Sequence, residues 1–121
     1  MRRLPPSVLL ALAALTVAGC ASNEVAPARD GVVRLVTDDY RLTPQAVRVP
    51  AGRVTFSVRN AGQQPHNLVI ARRGRERARL TTMFPGETER VTVRLARGTY
   101  RMSCSLSHHD VLGEYGTVSV R

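Results

Sequence analysis

The sequence has no lysine: all 18 of its basic residues are arginine, set against nine acidic residues for a formal net charge of +9. So one-sided a choice reads as the codon bias of a GC-rich genome rather than as a functional device. Aromatic residues are scarce, at 4%, and proteins that hold single-stranded nucleic acid need such rings to stack bases on. The positive charge therefore speaks less for nucleic acid than for an acidic protein partner or an anionic surface. No apolar run reaches the roughly 20 residues that cross a bilayer as a helix. There is no internal repeat, no low-complexity tract and, after residue 20, no amphipathic helical pattern. The 121 residues allow one domain and not two. Cysteine is nearly absent, occurring only as Cys20 and Cys104.

The N-terminal stretch has the organisation of an export signal. Met1-Arg2-Arg3 is basic, and Val8 to Val17 is apolar, with Leu9, Leu10, Leu12 and Leu15. The run ends in Val17-Ala18-Gly19-Cys20, which resembles the bacterial lipobox. That resemblance implies a signal peptide over 1–19, cleavage before Cys20 and a lipid on its thiol. The chain would then be a lipoprotein tethered to the cell membrane on its extracytoplasmic side, periplasmic in a two-membrane cell. An ordinary secretory signal with an incidental Cys20 is the alternative, and it too leads to export. Residues 20–30 read as the lipidated N-terminus and a tether, because Ser22 to Arg29 shows no periodicity. The domain is expected over 31–121. Loss of the signal removes two arginines and leaves sixteen against nine acids, a net +7.

Beyond Asp30 the pattern changes to period two. Val54, Phe56 and Val58 alternate with polar residues, as do Val91, Val93 and Leu95, then Tyr100, Met102 and Cys104, then Val118 and Val120. Half-buried antiparallel strands have this signature. Turn residues separate them at Pro50-Ala51-Gly52, Asn60-Ala61-Gly62, Pro85-Gly86 and Arg97-Gly98. About seven to eight short strands follow, hence an all-β sandwich or barrel. The basic stretch Arg72 to Arg79 reads as a solvated loop or hairpin tip.

If Cys20 carries lipid, Cys104 is a lone thiol in an oxidising compartment, and metal ligation is one way for it to persist. Parity places His66 on the face of Leu68 and Ile70, and Cys104 on the face of Tyr100 and Met102, all inward. His108 and His109 follow in the loop after Cys104. Two imidazoles and a thiolate are the donor set of a blue-copper site, and the same set holds zinc. Met102 on its strand and Met83 near a turn read as packing.

Three stretches decide between the metals: Val47 to Gly62 running on to Pro65-His66-Asn67-Leu68, Pro85-Gly86-Glu87-Thr88 leading to Gly98-Thr99-Tyr100, and Tyr100-Arg101-Met102-Ser103-Cys104-Ser105 followed by His109 and Gly113-Glu114-Tyr115-Gly116-Thr117-Val118. In this order they resemble the cupredoxin family, in its plastocyanin-like and azurin-like branch. The resemblance implies a Greek-key β-sandwich with one copper ion cycling between Cu(I) and Cu(II), held by His66, Cys104 and His109. It favours His109 over His108 by spacing. It also implies that Asn67 and Ser105 hydrogen-bond to each other and so join the two ligand strands.

One position departs from the family pattern. Where an axial methionine is usual, this chain has Glu114, in phase with Gly116, Val118 and Val120 on the inward face of the last strand. An inward carboxylate is costly unless paired or bound to metal, so Glu114 is expected as a fourth ligand. The alternatives are a side chain swung into solvent and a salt bridge to an arginine. A hard, charged donor favours Cu(II), lowers the reduction potential and shifts the colour from blue toward green or red. The leading expectation is a monomeric electron carrier, not an enzyme, with Leu106, Val111 and Leu112 near His109 as an apolar docking patch for a redox partner protein. A copper-storing or copper-delivering protein with a copper-accepting partner is the second expectation. A nitrogen-oxide enzyme ranks last, since no second metal cluster or general base is evident, and a metal-free adhesion-like sandwich is the remaining alternative.

Overall fold

The computed structural model describes residues 24–27 and 30–121. The signal peptide expected over 1–19 and the lipidation expected at Cys20 fall outside the described residues. Nine strands follow in chain order: β1 (Val32–Asp38), β2 (Arg41–Thr43), β3 (Ala46–Val49), β4 (Gly52–Asn60), β5 (His66–Arg72), β6 (Arg75–Met83), β7 (Thr88–Leu95), β8 (Gly98–Ser103) and β9 (Tyr115–Val120). They form a four-stranded sheet in the order β2-β1-β4-β7 and a five-stranded sheet in the order β3-β9-β8-β5-β6. After the β5–β6 hairpin the chain crosses to the other sheet as β7. It then returns as β8 to pair with β5 on its free side, a Greek-key path.

The alternating residues supply the inner faces. Val54, Phe56 and Val58 of β4 meet Leu68 and Ile70 of β5, Tyr100 and Met102 of β8, and Val118 and Val120 of β9 in one core. Each such large side chain removed from water stabilises the fold by about 1.5–3 kcal/mol. Two ladders are parallel, β1 with β4 and β3 with β9, where antiparallel pairing was expected. Alternation is the same in both kinds of ladder, so the hydrophobic pattern does not encode strand direction. The additional strand β2 has only three residues, too few to show a period.

The basic stretch Arg72 to Arg79 is the tip of the β5–β6 hairpin and the first part of β6. Arg73 and Gly74 both take positive φ, 51° and 73°, as a two-residue hairpin of the type I′ class requires. Within the segment expected as a tether, Val25 pairs with β3: its N–H donates to Ala46 O at 3.0 Å, and its carbonyl accepts from Arg48 N at 3.0 Å. No helix among the described residues is long and apolar enough to cross a membrane.

Strand direction gathers particular termini at one end of the sandwich. β1 and β4 run toward it side by side, β5 starts there, and β8 ends there beside β5.

Candidate metal centre

His66 opens β5, and Cys104 is the first residue beyond β8. The loop that leaves Cys104 returns to it, because Cys104 N–H donates to Glu114 O at 3.1 Å. Between those two points the chain turns tightly. His109 N–H donates to Leu106 O at 2.9 Å, and the N–H groups of Leu112 and Glu114 both donate to His109 O at 3.1 Å. Ser107 and His108 occupy the left-handed region, with φ of 46° and 57°. The loop leaves His108 exposed and carries His109 inward.

The result is a cluster of four donors, His66, Cys104, His109 and Glu114, whose ligand atoms all lie within 4.8 Å of one another. All are buried: His66 and Cys104 are 0% exposed, Glu114 is 1% and His109 is 7%. His66 Nδ1 stands 2.7 Å from Glu114 Oε2 and 3.2 Å from His109 Nδ1. His109 Nδ1 stands 3.4 Å from Glu114 Oε2 and 3.7 Å from Cys104 Sγ.

Glu114 is not swung into solvent, being 1% exposed, and among the described residues it pairs with no arginine. Its Oε1 accepts a short hydrogen bond from the Thr37 hydroxyl. Its Oε2 is buried and has no hydrogen-bond partner, although His66 Nδ1 stands 2.7 Å away. A buried polar atom left unsatisfied costs about 1–3 kcal/mol, more when charged. Burial accordingly pushes the Glu114 carboxyl up from its ordinary value, against the Thr37 hydroxyl and the nearby imidazoles of His66 and His109. Burial likewise pushes the Cys104 thiol up, against the backbone N–H groups of Asn67 and Leu106. A cation among these atoms reverses both effects, since it favours the ionised form of each donor. Two imidazole nitrogens, a sulfur and a carboxylate oxygen converging on one point are a donor set that fits a single copper ion.

Asn67 and Ser105 join the ligand strands. Ser105 N–H donates to Asn67 Oδ1 at 2.8 Å, and Asn67 Nδ2 donates to Ser105 Oγ at 2.9 Å. Met83 and Met102 are fully buried in the hydrophobic core. Gly116 is required beneath the site: a Cβ there would lie 2.3 Å from Gln45 O and 2.6 Å from Met102 Cε.

Three contributors have no counterpart among the expectations from sequence, and all come from the end of β1. Thr37 donates to Glu114. Asp39 Oδ1 lies 3.0 Å from His66 Nε2. Gln63 N–H, then His66, hold the Asp39 carboxyl below the usual range. The Tyr40 ring meets His109 edge-on, with centroids 5.1 Å apart and planes at 73°. The one available signal was Asp38-Asp39, an acidic pair in an arginine-rich chain. Around this end Tyr40, Phe84, Val111 and Leu112 leave apolar surface exposed.

A family model described as the Cupredoxin-like domain matches residues 8–114. The chain belongs to the cupredoxin-like family. Solved cupredoxins share the fold at low sequence identity. Dithionite-reduced auracyanin from Roseiflexus castenholzii superposes with a TM-score of 0.69 at 21% identity, covering 75% of this chain and 97% of its own. Auracyanin A, a "blue" copper protein from Chloroflexus aurantiacus, gives 0.66 at 20% identity, covering 74% and 98%. A purple cupredoxin from Nitrosopumilus maritimus gives 0.59 at 20% identity, covering 74% and 99%. Among curated proteins, the iron uptake system component EfeO of Yersinia pseudotuberculosis and of Yersinia pestis is 31% identical over 74 residues, 61% of this chain. This cupredoxin spans about a fifth of those relatives' length (20%).

Proposed function

We propose that this cupredoxin holds one copper ion between His66, Cys104, His109 and Glu114 and carries single electrons, as an exported lipoprotein anchored through Cys20. The observation that carries the reading is Glu114 Oε2: buried, without a hydrogen-bond partner, and facing two imidazole nitrogens and a thiol. A bound copper ion supplies a one-electron couple. The protein's part is to keep the donors in place through both valences. The Asn67–Ser105 pair fixes the two ligand strands against each other, Thr37 holds one oxygen of Glu114 so that the other stays aimed inward, and the buried sandwich resists rearrangement. His109 is the most exposed of the four, at 7%, and shares its loop with exposed Val111 and Leu112; it is the route by which an electron leaves toward a docked partner. The arginine-rich surface favours an acidic partner.

Loading the purified domain with Cu(II) tests this. The expected result is an intense visible thiolate-to-copper absorption that bleaches on reduction and returns on oxidation as a one-electron couple. Stoichiometric copper without such absorption, or a preference for zinc over both copper valences, overturns it. The anchor is tested separately. Cys20→Ala is expected to release the protein from the membrane fraction, and retention overturns that part alone.

The likeness to an iron uptake component favours a second reading, copper storage or delivery. Slow electron exchange with redox dyes, coupled to rapid surrender of Cu(I) to a chelator, would select it.

A further inference from the structure

We propose that Asp39 is a positioning residue for the copper site, selecting which nitrogen of His66 faces the cluster and strengthening that nitrogen as a donor. This rests on the reading that His66 binds copper. Asp39 Oδ1 lies 3.0 Å from His66 Nε2. A carboxylate only accepts, so Asp39 draws an imidazole proton to Nε2, against the pull of Glu114 Oε2 on Nδ1, and a cation held in the cluster then meets the lone pair of Nδ1. Nδ1 is the atom that stands 2.7 Å from Glu114 Oε2 and 3.2 Å from His109 Nδ1. The carboxylate thus decides the tautomer from outside the cluster.

The carboxylate is itself built in. Gln63 N–H donates to Asp39 Oδ2 at 2.9 Å and lies 3.1 Å from Oδ1, and Gln64 N–H donates to Oδ1 at 3.0 Å. Gly62 makes the approach possible: a Cβ there would lie 2.4 Å from Asp39 Oδ1 and 2.9 Å from Asp39 N. Asn60 holds the same loop, its Nδ2 donating to Gln64 O at 2.8 Å and its Oδ1 accepting from Gly62 N at 2.9 Å. Loop 60–65 and the end of β1 therefore form a seat for one carboxylate, aimed at one ring nitrogen. An imidazole whose far N–H is held by a carboxylate is a more basic ligand than one held by a neutral acceptor. Added negative charge beside the site stabilises Cu(II) over Cu(I). Asp39 consequently lowers the reduction potential in the same direction as Glu114, by acting on a different ligand.

The test uses Asp39→Asn, Asp39→Ala and Gly62→Ala. In the metal-free protein, nitrogen NMR of His66 is expected to show Nε2 protonated. Asp39→Ala and Gly62→Ala should give a mixture of tautomers in a protein whose amide spectrum stays dispersed. In the copper-loaded protein, Asp39→Asn should raise the potential while keeping the visible absorption. Asp39→Ala should also weaken copper binding by roughly 10–100-fold. An unchanged tautomer and potential in both Asp39 variants overturns the proposal. His66→Ala separates it from its parent: visible absorption that survives this substitution refutes His66 as a ligand. Absorption lost there, with Asp39 variants indistinguishable from the native protein, refutes only the role of Asp39.

Discussion

Strand β5 joins two opposite electrostatic situations. At its start His66 is fully buried among a thiol, an imidazole and a carboxylate. At its end Arg72 leads into the Arg73-Gly74 turn, and Arg75 and Arg77 follow on the exposed side of β6. The arginine end holds much more charge and stores little energy in it, since water solvates those guanidinium groups. Further along β6, Arg79 pairs with Glu76 at 2.6 Å, but both groups are 45% exposed and exposed pairs are worth little; Arg79 also donates to Ser105 Oγ at 3.3 Å and so reaches back toward the ligand strands. The site has few charges and is costly to leave without a cation, because its donors are desolvated and aimed at one another. The net charge of the chain therefore says little about where its chemistry is.

The strongest way to sharpen the contrast is to add and remove the metal. A ligand that binds only the folded state at a thousandfold its Kd stabilises by about 4 kcal/mol. For a domain of this size that raises Tm by roughly 15–30 °C. Copper is expected to produce such a shift in calorimetry, and Cys104→Ser to abolish both most of the shift and the visible absorption. A copper-induced shift of a degree or two would place the cost elsewhere.

Glu114→Gln comes next. The metal-free variant should be more stable than the native protein at neutral pH, because a desolvated carboxylate has become a neutral amide, while its gain from copper should shrink. The folded-state pKa of Glu114 is raised. The native metal-free protein is therefore most favoured below the unfolded value, near 4.5, and loses stability as pH rises toward the folded value. The gap between the two proteins should open with rising pH and close in acid. A gap that widens in acid would mean that Glu114 is stabilised as an anion without metal. In the copper protein, Glu114→Gln should raise the potential and move the colour toward blue.

The two ends also differ in how far they are legible in the sequence. The convergence of His66, Cys104, His109 and Glu114 can be read because it depends on strand parity and on one short loop. Each residue's neighbours two positions away report its face. Thr37 and Asp39 cannot be read that way. They reach Glu114 and His66 across 77 and 27 residues, through the pairing of β1 with β4. That pairing is parallel, and nothing in the alternation of Val33 and Leu35 distinguishes parallel from antiparallel. Strand β2 escaped for a simpler reason, since three residues carry no period. Tyr40 sits at φ 77°, a left-handed conformation that gave no warning because it lies on a tyrosine rather than a glycine. At the arginine end the hairpin tip was legible as solvated residues, but only the backbone shows that Arg73 and Gly74 make the turn.

A smaller effect is expected from Arg73, Arg75 and Arg77 changed together to Gln. β5 is seven residues long, so at about 3.3 Å per residue the tip lies on the order of 20 Å from His66. That is more than two Debye lengths at physiological ionic strength, about 8 Å. Reduction potential and absorption should not move in 0.15 M salt, and each substitution should change stability by less than about 0.5 kcal/mol. What should fall is the rate of electron exchange with an acidic partner at low salt. A potential that shifts with these arginines would show that the two ends are electrostatically coupled.

The smallest effect is expected where an ion pair is geometrically good and fully exposed. Arg34 NH2 lies 2.5 Å from Asp30 Oδ2, between side chains 58% and 50% exposed. The Arg34 guanidinium, helped by Val32 N–H, holds the Asp30 carboxyl down to about 2. The sign is opposite to that of Glu114. A lowered pKa favours the folded state above the unfolded value of 3.8 and loses that contribution as pH falls through about 2. Yet water screens both groups, so Asp30→Asn should leave Tm at pH 7 within the scatter of repeated scans, and added salt should erase any residual difference. If Asp30→Asn instead lowered Tm as much as Glu114→Gln alters it, distance and pKa would rank these interactions better than burial does. The energetic distinction between the buried donors of the metal centre and the solvated charges elsewhere on the sandwich would then fail.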